Sequence, residues 1–222
     1  MPSLAPYYQD DYVTLYHGDC LTEHREWLAA DVLITDPPYG MAYLSGWDAK
    51  DRAIKNDTET SARDKALELW GSKPAAAFGT WKEPRPPQTR HLVVWDKTLG
   101  TGAGMGDLDA SWGNSHEEIY ILGEWKRGER ARHSSVIQTK DGLRSLSGKT
   151  GHPTPKPVGL MEKIISMAPA GVIADPFAGS GSTLVAAKAL GRKVIGVELE
   201  EKYCEIIAKR CAQDVLDLGA IA

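Results

Sequence analysis

The sequence predicts an α/β protein, with a doubly wound, mostly parallel sheet and helices on both faces. Short apolar runs of strand length alternate along the chain with stretches of helical spacing. Two of these runs end in unusual loops, "TDPPYG" and "DPFAGSGST", and a strand that stops at such a corner is seldom only a turn. The length of 222 residues suits one sizeable domain, so we expect a single domain over residues 1–222.

The individual elements follow from apolar periodicity and its breaks. Strands are predicted, in chain order, in "DYVTLYH", "DVLIT", "PAAAFGT", "HLVVWDK", "EEIYILGEW", "GVIAD" and "RKVIGVEL". Helices are predicted in "LTEHREWLA", "ARDKALELW", "PVGLMEKIISMA", "STLVAAKALG" and "EEKYCEIIAKRCA". The prolines of "EPRPPQ" forbid regular structure. Trp27, Trp70 and Trp95 lie in helix or strand patterns, which predicts that they belong to the core.

One segment departs from this alternation. Residues 124–150 lose apolar periodicity, and we predict a short basic insertion that loops out from the sheet. The net charge of −4 argues against a wholly basic surface but not against a local basic groove. The basic residues of the segment, which we predict to contact nucleic acid, are Lys126, Arg127, Arg130, Arg132, Lys140, Arg144 and Lys149.

Cysteine usage and hydropathy predict the compartment. The three cysteines have no CxxC spacing, which predicts reduced thiols rather than a disulfide framework. The chain has no signal-like start and no apolar stretch near 20 residues, so we expect a soluble cytoplasmic protein without a membrane partner. The histidines lack metal-ligand spacing, and we predict no metal site.

The loop from Ala174 to Thr183 predicts a nucleoside site. Gly179 and Gly181 let the backbone approach a ligand, and the following helix points its N-terminus at it. No Gly-Lys-Ser/Thr follows, which disfavours a phosphate loop of the NTPase kind, and the GxGxxG fingerprint fails as well. Glu198 ends the next strand, where an acid would accept ribose hydroxyls. A tight turn with a surface glutamate remains the alternative.

The corner Asp36-Pro37-Pro38-Tyr39 predicts a site for an exocyclic amine. Such an amine must become more tetrahedral before it attacks a methyl group, and positive charge then develops on its nitrogen. The Asp36 carboxylate and the Pro37 carbonyl can accept its two N–H bonds, while Pro37 and Pro38 keep the corner rigid. Tyr39 can stack on the plane of the nucleobase that carries such an amine. The alternative is a stiff turn in which Asp36 caps its own backbone.

Taken together, these motifs resemble the S-adenosylmethionine-dependent amino-methyltransferases of DNA, in their permuted beta group. The resemblance rests on "TDPPYG" for the catalytic corner and "DPFAGSGST" for the methionine loop. It also rests on "GVELEEKY", "GHPTPKPVGL" and "LYHGDC", and the catalytic motif precedes the cofactor loop. It implies a Rossmann-like class I methyltransferase fold, circularly permuted, in which the two strand ends lie side by side.

The resemblance also implies a binding site for S-adenosylmethionine. Glu198 would bind the ribose, Asp19 the adenine amino group, and Ser182 or Thr183 the carboxylate. Lys156 would contact that carboxylate or support the wall of the active site. The full implied set, with Asp175 behind the contacting residues, is Asp19, Cys20, Lys156, Asp175, Phe177, Gly179, Gly181, Ser182, Thr183 and Glu198.

The implied function is methyl transfer to the exocyclic amine of a flipped base in double-stranded DNA. An Asp-Pro-Pro-Tyr corner is more typical of adenine N6 than of cytosine N4, which stays the alternative. RNA methylation and a catalytically silent nucleic-acid-binding subunit also stay open. The short insertion predicts a homodimer, and the setting is either a restriction–modification pair with a cognate endonuclease or a phage-borne enzyme. Either setting places the protein on DNA in a bacterial or phage-infected cell.

Overall fold

The structure is a computed structural model that describes residues 5–38, 60–98, 109, 111–126, 132–139 and 155–218, with side chains to residue 213. Its strands form one sheet in the order β1-β2-β9-β8-β3-β4-β6-β5-β7. The strands are β1 (Tyr8–Gln9), β2 (Val13–His17), β3 (Val32–Thr35), β4 (Ala75–Gly79), β5 (His91–Asp96), β6 (His116–Leu122), β7 (Val136–Gln138), β8 (Ile173–Asp175) and β9 (Val194–Glu198).

The sheet is mostly parallel, as predicted. Strands β2, β9, β8, β3 and β4 pair in parallel, whereas β1 and β6 run the opposite way. Strand β5 pairs antiparallel with β6 and parallel with β7. Strands β5 and β7 therefore run in the direction of the central strands. The carboxyl ends of the central strands therefore meet at one edge of the sheet, which we call the carboxyl edge; the opposite one is the amino edge.

Within the described ranges, four helices cover the two faces of this sheet. They are α1 (Ser61–Trp70), α2 (Val158–Met167), α3 (Ser182–Ala189) and α4 (Glu201–Leu218). Helices α2, α3 and α4 pack on one face, where Leu160, Leu184 and Ile207 share a core with alternate strand residues. On the other face, Trp27 and Trp70 stack with ring centres 5.8 Å apart. The prediction of a doubly wound fold is confirmed.

The three tryptophans predicted for the core are buried. Trp95 is fully buried in β5, and its indole N–H donates to Thr139 Oγ1 at 3.2 Å. The indole N–H of Trp27 donates to the Cys20 carbonyl at 3.0 Å, so even this apolar contact carries a satisfied polar group. Among the described residues, no helix combines the length and apolar content needed to cross a membrane.

Two predicted elements are corrected by the structure. The helix predicted in "LTEHREWLA" is only a single 3-10 turn, Glu26–Ala29. Two backbone N–H groups, of Glu23 and His24, turn back to the Asp19 carbonyl, so the chain forms a tight turn where the helix would begin. The basic insertion is not wholly a loop, because Val136–Gln138 forms β7, the outermost strand of the sheet, beside β5.

Candidate active site

The two loops singled out from the sequence leave adjacent strands of the sheet. Strand β3, which ends just before Asp36, pairs in parallel with β8, which ends at Asp175. The Thr35 hydroxyl donates to the Asp175 carboxylate at 2.8 Å and ties the two strand ends together. The predicted adjacency is confirmed, and a ligand at this edge can contact both the Asp-Pro-Pro corner and the glycine loop.

Asp36 lies at the carboxyl edge with its carboxylate against a buried cation. Its Oδ2 accepts from the Lys156 ammonium at 2.5 Å, and its side chain is 23% exposed. Pro37 is buried and Pro38 partly so, which agrees with a rigid corner. Tyr39 lies outside the described residues. The corner thus presents a carboxylate at a partly open position, as an amine-binding site requires.

Lys156 connects this corner to residues that the motifs did not reveal. Its ammonium lies 3.2 Å from Glu117 Oε2 and 5.1 Å from the centre of the Phe78 ring. The other Glu117 oxygen accepts from the Lys97 ammonium at 3.3 Å. Of the two roles expected for Lys156, this geometry favours support of the active-site wall. Glu117 was missed because an acid near the start of a strand looks like an ordinary surface residue.

The charges of this group depend on burial and on one another. Burial raises the pKa of Asp36 to about 7, although Lys156 acts to lower it and Glu117 raises it further. Burial acts to lower the pKa of Lys156, but Asp36 and Glu117 outweigh burial and raise it. Burial acts to raise the pKa of Glu117, but Lys156 and Lys97 hold it below its usual value. Lys156 and Glu117 are therefore charged at neutral pH, whereas Asp36 is close to its midpoint.

The glycine loop leads directly into helix α3. Gly179 and Gly181 have φ of 52° and 82°, which favour glycine. A Cβ at Gly181 would lie 2.7 Å from Ile207 Cγ1 on α4, so the loop also needs glycine for space. Ser182 and Thr183, both buried, open α3. The Thr183 hydroxyl bonds to Asp175, which favours Ser182 of the two residues expected at the cofactor carboxylate.

We expect Gly181→Ala to lower the free energy of unfolding by about 1–3 kcal/mol more than Gly191→Ala, because only the first adds an overpacked contact. Gly191 is a matched control, since its φ is 65° and a Cβ there meets nothing within 4 Å. Both variants incur the cost of a left-handed alanine, about 1 kcal/mol. Urea unfolding measures the difference; equal losses would show that Ile207 adapts without cost.

Asp175 ends β8, directly before the glycine loop. It is buried, and its Oδ1 also accepts the Phe177 N–H at 3.2 Å. Burial raises the pKa of Asp175 to about 6, while hydrogen bonds from Thr183, Thr35 and the Phe177 N–H act to lower it. The carboxylate thus ties together Phe177, the end of β3 and the start of α3.

Glu198 ends β9 beside the glycine loop. Its Oε2 accepts the Gly179 N–H at 2.7 Å and its Oε1 accepts the Glu200 N–H at 2.8 Å. Burial raises the pKa of Glu198 to about 7, opposed by these two N–H groups. A carboxylate offers about four acceptor positions, so two backbone donors leave capacity for a pair of ligand hydroxyls. A ribose therefore fits this acceptor.

The turn after β2 brings Asp19 and Cys20 to the same edge. His17 pairs with Glu198 in the sheet, and the Gly18 N–H donates to the Glu198 carbonyl at 3.0 Å. The Asp19 carboxylate accepts the Leu21 N–H at 2.7 Å. Burial, with a further contribution from Asp19, raises the pKa of the Cys20 thiol to about 12, so this thiol is a poor nucleophile.

Two of the seven basic residues predicted to contact nucleic acid, Lys126 and Arg132, lie in the part of the chain that the structure describes. Lys126, which is exposed, follows the end of β6 at the amino edge, since β6 runs antiparallel to β4. Arg132 precedes β7 at the same edge. Both residues therefore lie at the amino edge, whereas Asp36 lies at the carboxyl edge. The contact of this basic segment with nucleic acid stays a prediction, because the structure describes only these two of its seven basic residues. The other five, Arg127, Arg130, Lys140, Arg144 and Lys149, lie outside the described residues.

The described residues contain no group of three or more His, Cys, Asp or Glu side chains placed to hold a metal ion. The three cysteines are buried as free thiols. The mostly parallel sheet, with the Asp-Pro-Pro corner and the glycine loop at one edge, defines the class of protein: a class I methyltransferase fold.

Comparison with known proteins narrows the class to a family. Residues 47–209 match the profile of the DNA methylase family of N6 and N4 methyltransferases. The chain is 32% identical to the methylase YubD of Escherichia coli (strain K12), and the alignment covers 91% of this chain and 92% of YubD. The chain belongs to the DNA methylase family. The profile match begins after the Asp36 corner, so the corner is assigned from its own residues and geometry.

Other relatives differ in length. Two Type II methyltransferases, M.EcaI of Enterobacter cloacae and M.HinfI of Haemophilus influenzae, are 29% and 44% identical over the aligned parts. The alignments cover 75% and 43% of this chain but only 36% and 27% of those proteins, so the matched part corresponds to about a third of their length.

Solved structures agree on the fold. The crystal structure of the M1.HpyAVI–SAM complex has a TM-score of 0.62 at 22% identity and covers 90% of this chain and 98% of that one. The PvuII DNA methyltransferase, described as cytosine-N4-specific, has a TM-score of 0.62 at 14% identity, with 93% and 88% covered. At these identities the likeness supports the class I fold alone.

Proposed function

We propose that this chain transfers a methyl group from S-adenosylmethionine to the exocyclic amine of a base flipped out of double-stranded DNA, with adenine N6 as the preferred acceptor. The observation that supports this most strongly is the pairing of β3 with β8, which brings Asp36 beside the glycine loop. A structural turn would not need a carboxylate at this position, partly open and next to a nucleoside-binding loop.

The cofactor is held, in this proposal, by the residues around Gly179 and Glu198. Glu198 accepts the ribose hydroxyls, Asp19 accepts from the adenine amino group, and the Cys20 N–H lies beside it. Backbone from Phe177 to Gly181 lies along the methionine part, and Ser182 binds its carboxylate. The bound cofactor supplies a methyl group on a positively charged sulfur, which the amine nitrogen attacks directly.

The chain's own contribution to the reaction is electrostatic. The Asp36 carboxylate and the Pro37 carbonyl accept the two N–H bonds of the amine, and both hydrogen bonds strengthen as positive charge develops on nitrogen. Pro38 keeps the corner fixed, and Tyr39 stacks on the base. An Asp36 carboxyl whose pKa is near 7 can then take up the proton that the methylated amine loses.

We expect the rate of methyl transfer to rise as pH increases through about 7, because the ionised form of Asp36 accepts hydrogen bonds from the amine. Initial rates with saturating cofactor and DNA measure this profile. Glu198 also titrates near pH 7, so cofactor affinity is measured over the same range to separate its effect. A rate that is independent of pH between about 6 and 8 would contradict the role of Asp36.

DNA contact is proposed for Lys140, Arg144 and Lys149. Strand β7 ends at the carboxyl edge, and Lys156 lies against Asp36 at the same edge, so the segment between them starts and ends at the edge that carries the site. Cation contacts to phosphates would offset the few kcal/mol that base flipping costs. Charge reversal of the three residues should weaken DNA binding and leave cofactor binding unchanged in a filter-binding assay.

Cytosine N4 remains the second candidate acceptor, because the same corner chemistry suits any planar exocyclic amine and the PvuII enzyme shares the fold. A silent binding subunit is disfavoured by the intact corner and loop. A tritiated-methyl assay on unmethylated DNA, with RNA in parallel, tests the function. Label in DNA but not RNA is expected, and label in neither would contradict an active enzyme.

We propose a homodimer as the assembly, because the segment available for target recognition is short. Gel filtration at several protein concentrations tests it, and a monomer at all of them would contradict it. The Type II names of the relatives support pairing with a cognate endonuclease as the setting. Long-read sequencing of host DNA after expression would report the methylated base and its sequence together.

A further inference from the structure

The Lys156 ammonium lies between two carboxylates from different parts of the fold. Asp36, after β3, is 2.5 Å away and Glu117, in β6, is 3.2 Å away. The Lys156 side chain is only 6% exposed, whereas those of Asp36 and Glu117 are 23% and 20% exposed. A single buried cation is therefore shared by the carboxylate proposed to bind the amine and by one that no motif singled out.

Glu117 is itself held from the other side. Its Oε1 accepts from the Lys97 ammonium at 3.3 Å, and Lys97 is 12% exposed. The four side chains form an alternating row of charges, Lys97, Glu117, Lys156 and Asp36, at the carboxyl edge. Buried ions are tolerated where opposite charges surround them, and removing one member leaves its neighbour uncompensated.

On the basis of the proposed function, we propose that Glu117 is a positioning residue: it anchors the Lys156 ammonium beside the catalytic corner and takes up part of the stabilisation that Lys156 would otherwise give to Asp36 alone. The charge of Lys156 is then divided between two carboxylates, Asp36 and Glu117. The Asp36 carboxylate can then turn to the N–H bonds of the amine, while Lys156 keeps Glu117 as its partner.

The charged groups that face Asp36 determine the sign of each effect. Lys156 stabilises its ionised form, whereas Glu117 in β6 and Asp175 at the end of β8 destabilise it. Lys97 acts through Glu117, whose charge it compensates. Removing Glu117 should therefore make Asp36 easier to ionise, and removing Lys156 should make it harder. If Glu117 and Lys156 had a purely structural role, their removal would not shift the ionisation of Asp36 in opposite directions.

The test compares Glu117→Gln with Lys156→Met by two readouts. The first is the pH at the midpoint of the acidic limb of kcat/KM for methyl transfer. The second is the titration of the Asp36 carboxyl carbon by ¹³C NMR, assigned by its loss in Asp36→Asn. We expect the midpoint to fall by about one pH unit in Glu117→Gln and to rise by about one unit in Lys156→Met.

Glu205→Gln is the matched control, because it removes an exposed carboxylate that pairs with Lys209 on α4. Its midpoint should equal that of the unmodified chain. If both test variants lose rate without moving the midpoint, or move it in the same direction, the proposal is overturned. If Glu117→Gln does not fold, Lys97→Met decides: a higher midpoint supports the proposal, and an unchanged one overturns it.

The two readouts separate this inference from the proposed function. The NMR titration needs no catalytic activity, so opposite shifts in a chain that transfers no methyl group would support the role of Glu117 and contradict the enzyme. Methyl transfer together with an Asp36 titration that is the same in all variants would support the enzyme and contradict the role of Glu117.

Discussion

Asp36→Ala is expected to lower kcat for methyl transfer by about 10²–10³-fold, the usual cost of removing one preorganised group that stabilises charge in a transition state. Cofactor affinity should stay within about twofold, because β8 separates Asp36 at the end of β3 from Glu198 at the end of β9, and Asp36 bonds to Lys156. Single-turnover transfer of labelled methyl to duplex DNA measures the rate, and isothermal titration calorimetry measures the affinity.

A control for this substitution is Asp11→Ala, which removes an exposed carboxylate from the turn between β1 and β2. The control should retain both rate and affinity. Lys156 keeps Glu117 as a partner in Asp36→Ala, so we expect the variant to fold. A rate close to that of the unmodified chain would remove the assignment of Asp36 as the acceptor of the amine hydrogen bonds.

Glu198→Ala is expected to raise the dissociation constant for S-adenosylmethionine by about 100-fold, or about 2.7 kcal/mol. The size follows from the loss of two hydrogen bonds between a carboxylate and ribose hydroxyls, each contributing about 1.5 kcal/mol. The Gly179 N–H also loses its acceptor, which loosens the glycine loop. Calorimetric titration of the cofactor into the purified variant measures the constant.

Glu200→Ala is the matched control for that experiment. Glu200 lies two residues further on and pairs with Lys202, while its backbone N–H, which donates to Glu198, is retained in the variant. Its cofactor affinity should therefore be unchanged. If Glu198→Ala binds the cofactor as tightly as the control does, the ribose lies elsewhere and the orientation of the cofactor has to be reversed or shifted.

Much of the fold follows from local signals. The apolar runs of β3 and β8 are short, bounded by polar residues and followed by glycine or proline, so both their existence and their ends are readable. Strand β7 was missed because a strand of three residues, with only Ile137 partly buried, is too short to show a periodicity, and its partner β5 provides the pairing. A longer helix was predicted where only the 3-10 turn Glu26–Ala29 forms, because the apolar spacing of this segment also fits a helix.

The site was predictable in part for the same reason. Asp36, Gly179 and Glu198 stand in motifs that each report a local geometry, whereas the contact between Asp36 and Lys156 joins residues 120 positions apart. Glu117 has no motif, and only the antiparallel placement of β6 brings its first residues to the carboxyl edge. The same strand direction moves Lys126 to the amino edge, which no charge pattern could reveal.

The account requires that amine and methyl donor meet between the ends of β3 and β8. Mass spectrometry of nucleosides from duplex DNA, treated with the purified chain and deuterated-methyl S-adenosylmethionine, tests this most directly. We predict labelled N6-methyladenine with the unmodified chain and, at the same early time point, about 10²–10³-fold less with Asp36→Ala. Labelled 5-methylcytosine, or equal N6 label in Asp36→Ala, would contradict the assignment of this edge of the sheet as the site of an amino-methyltransferase.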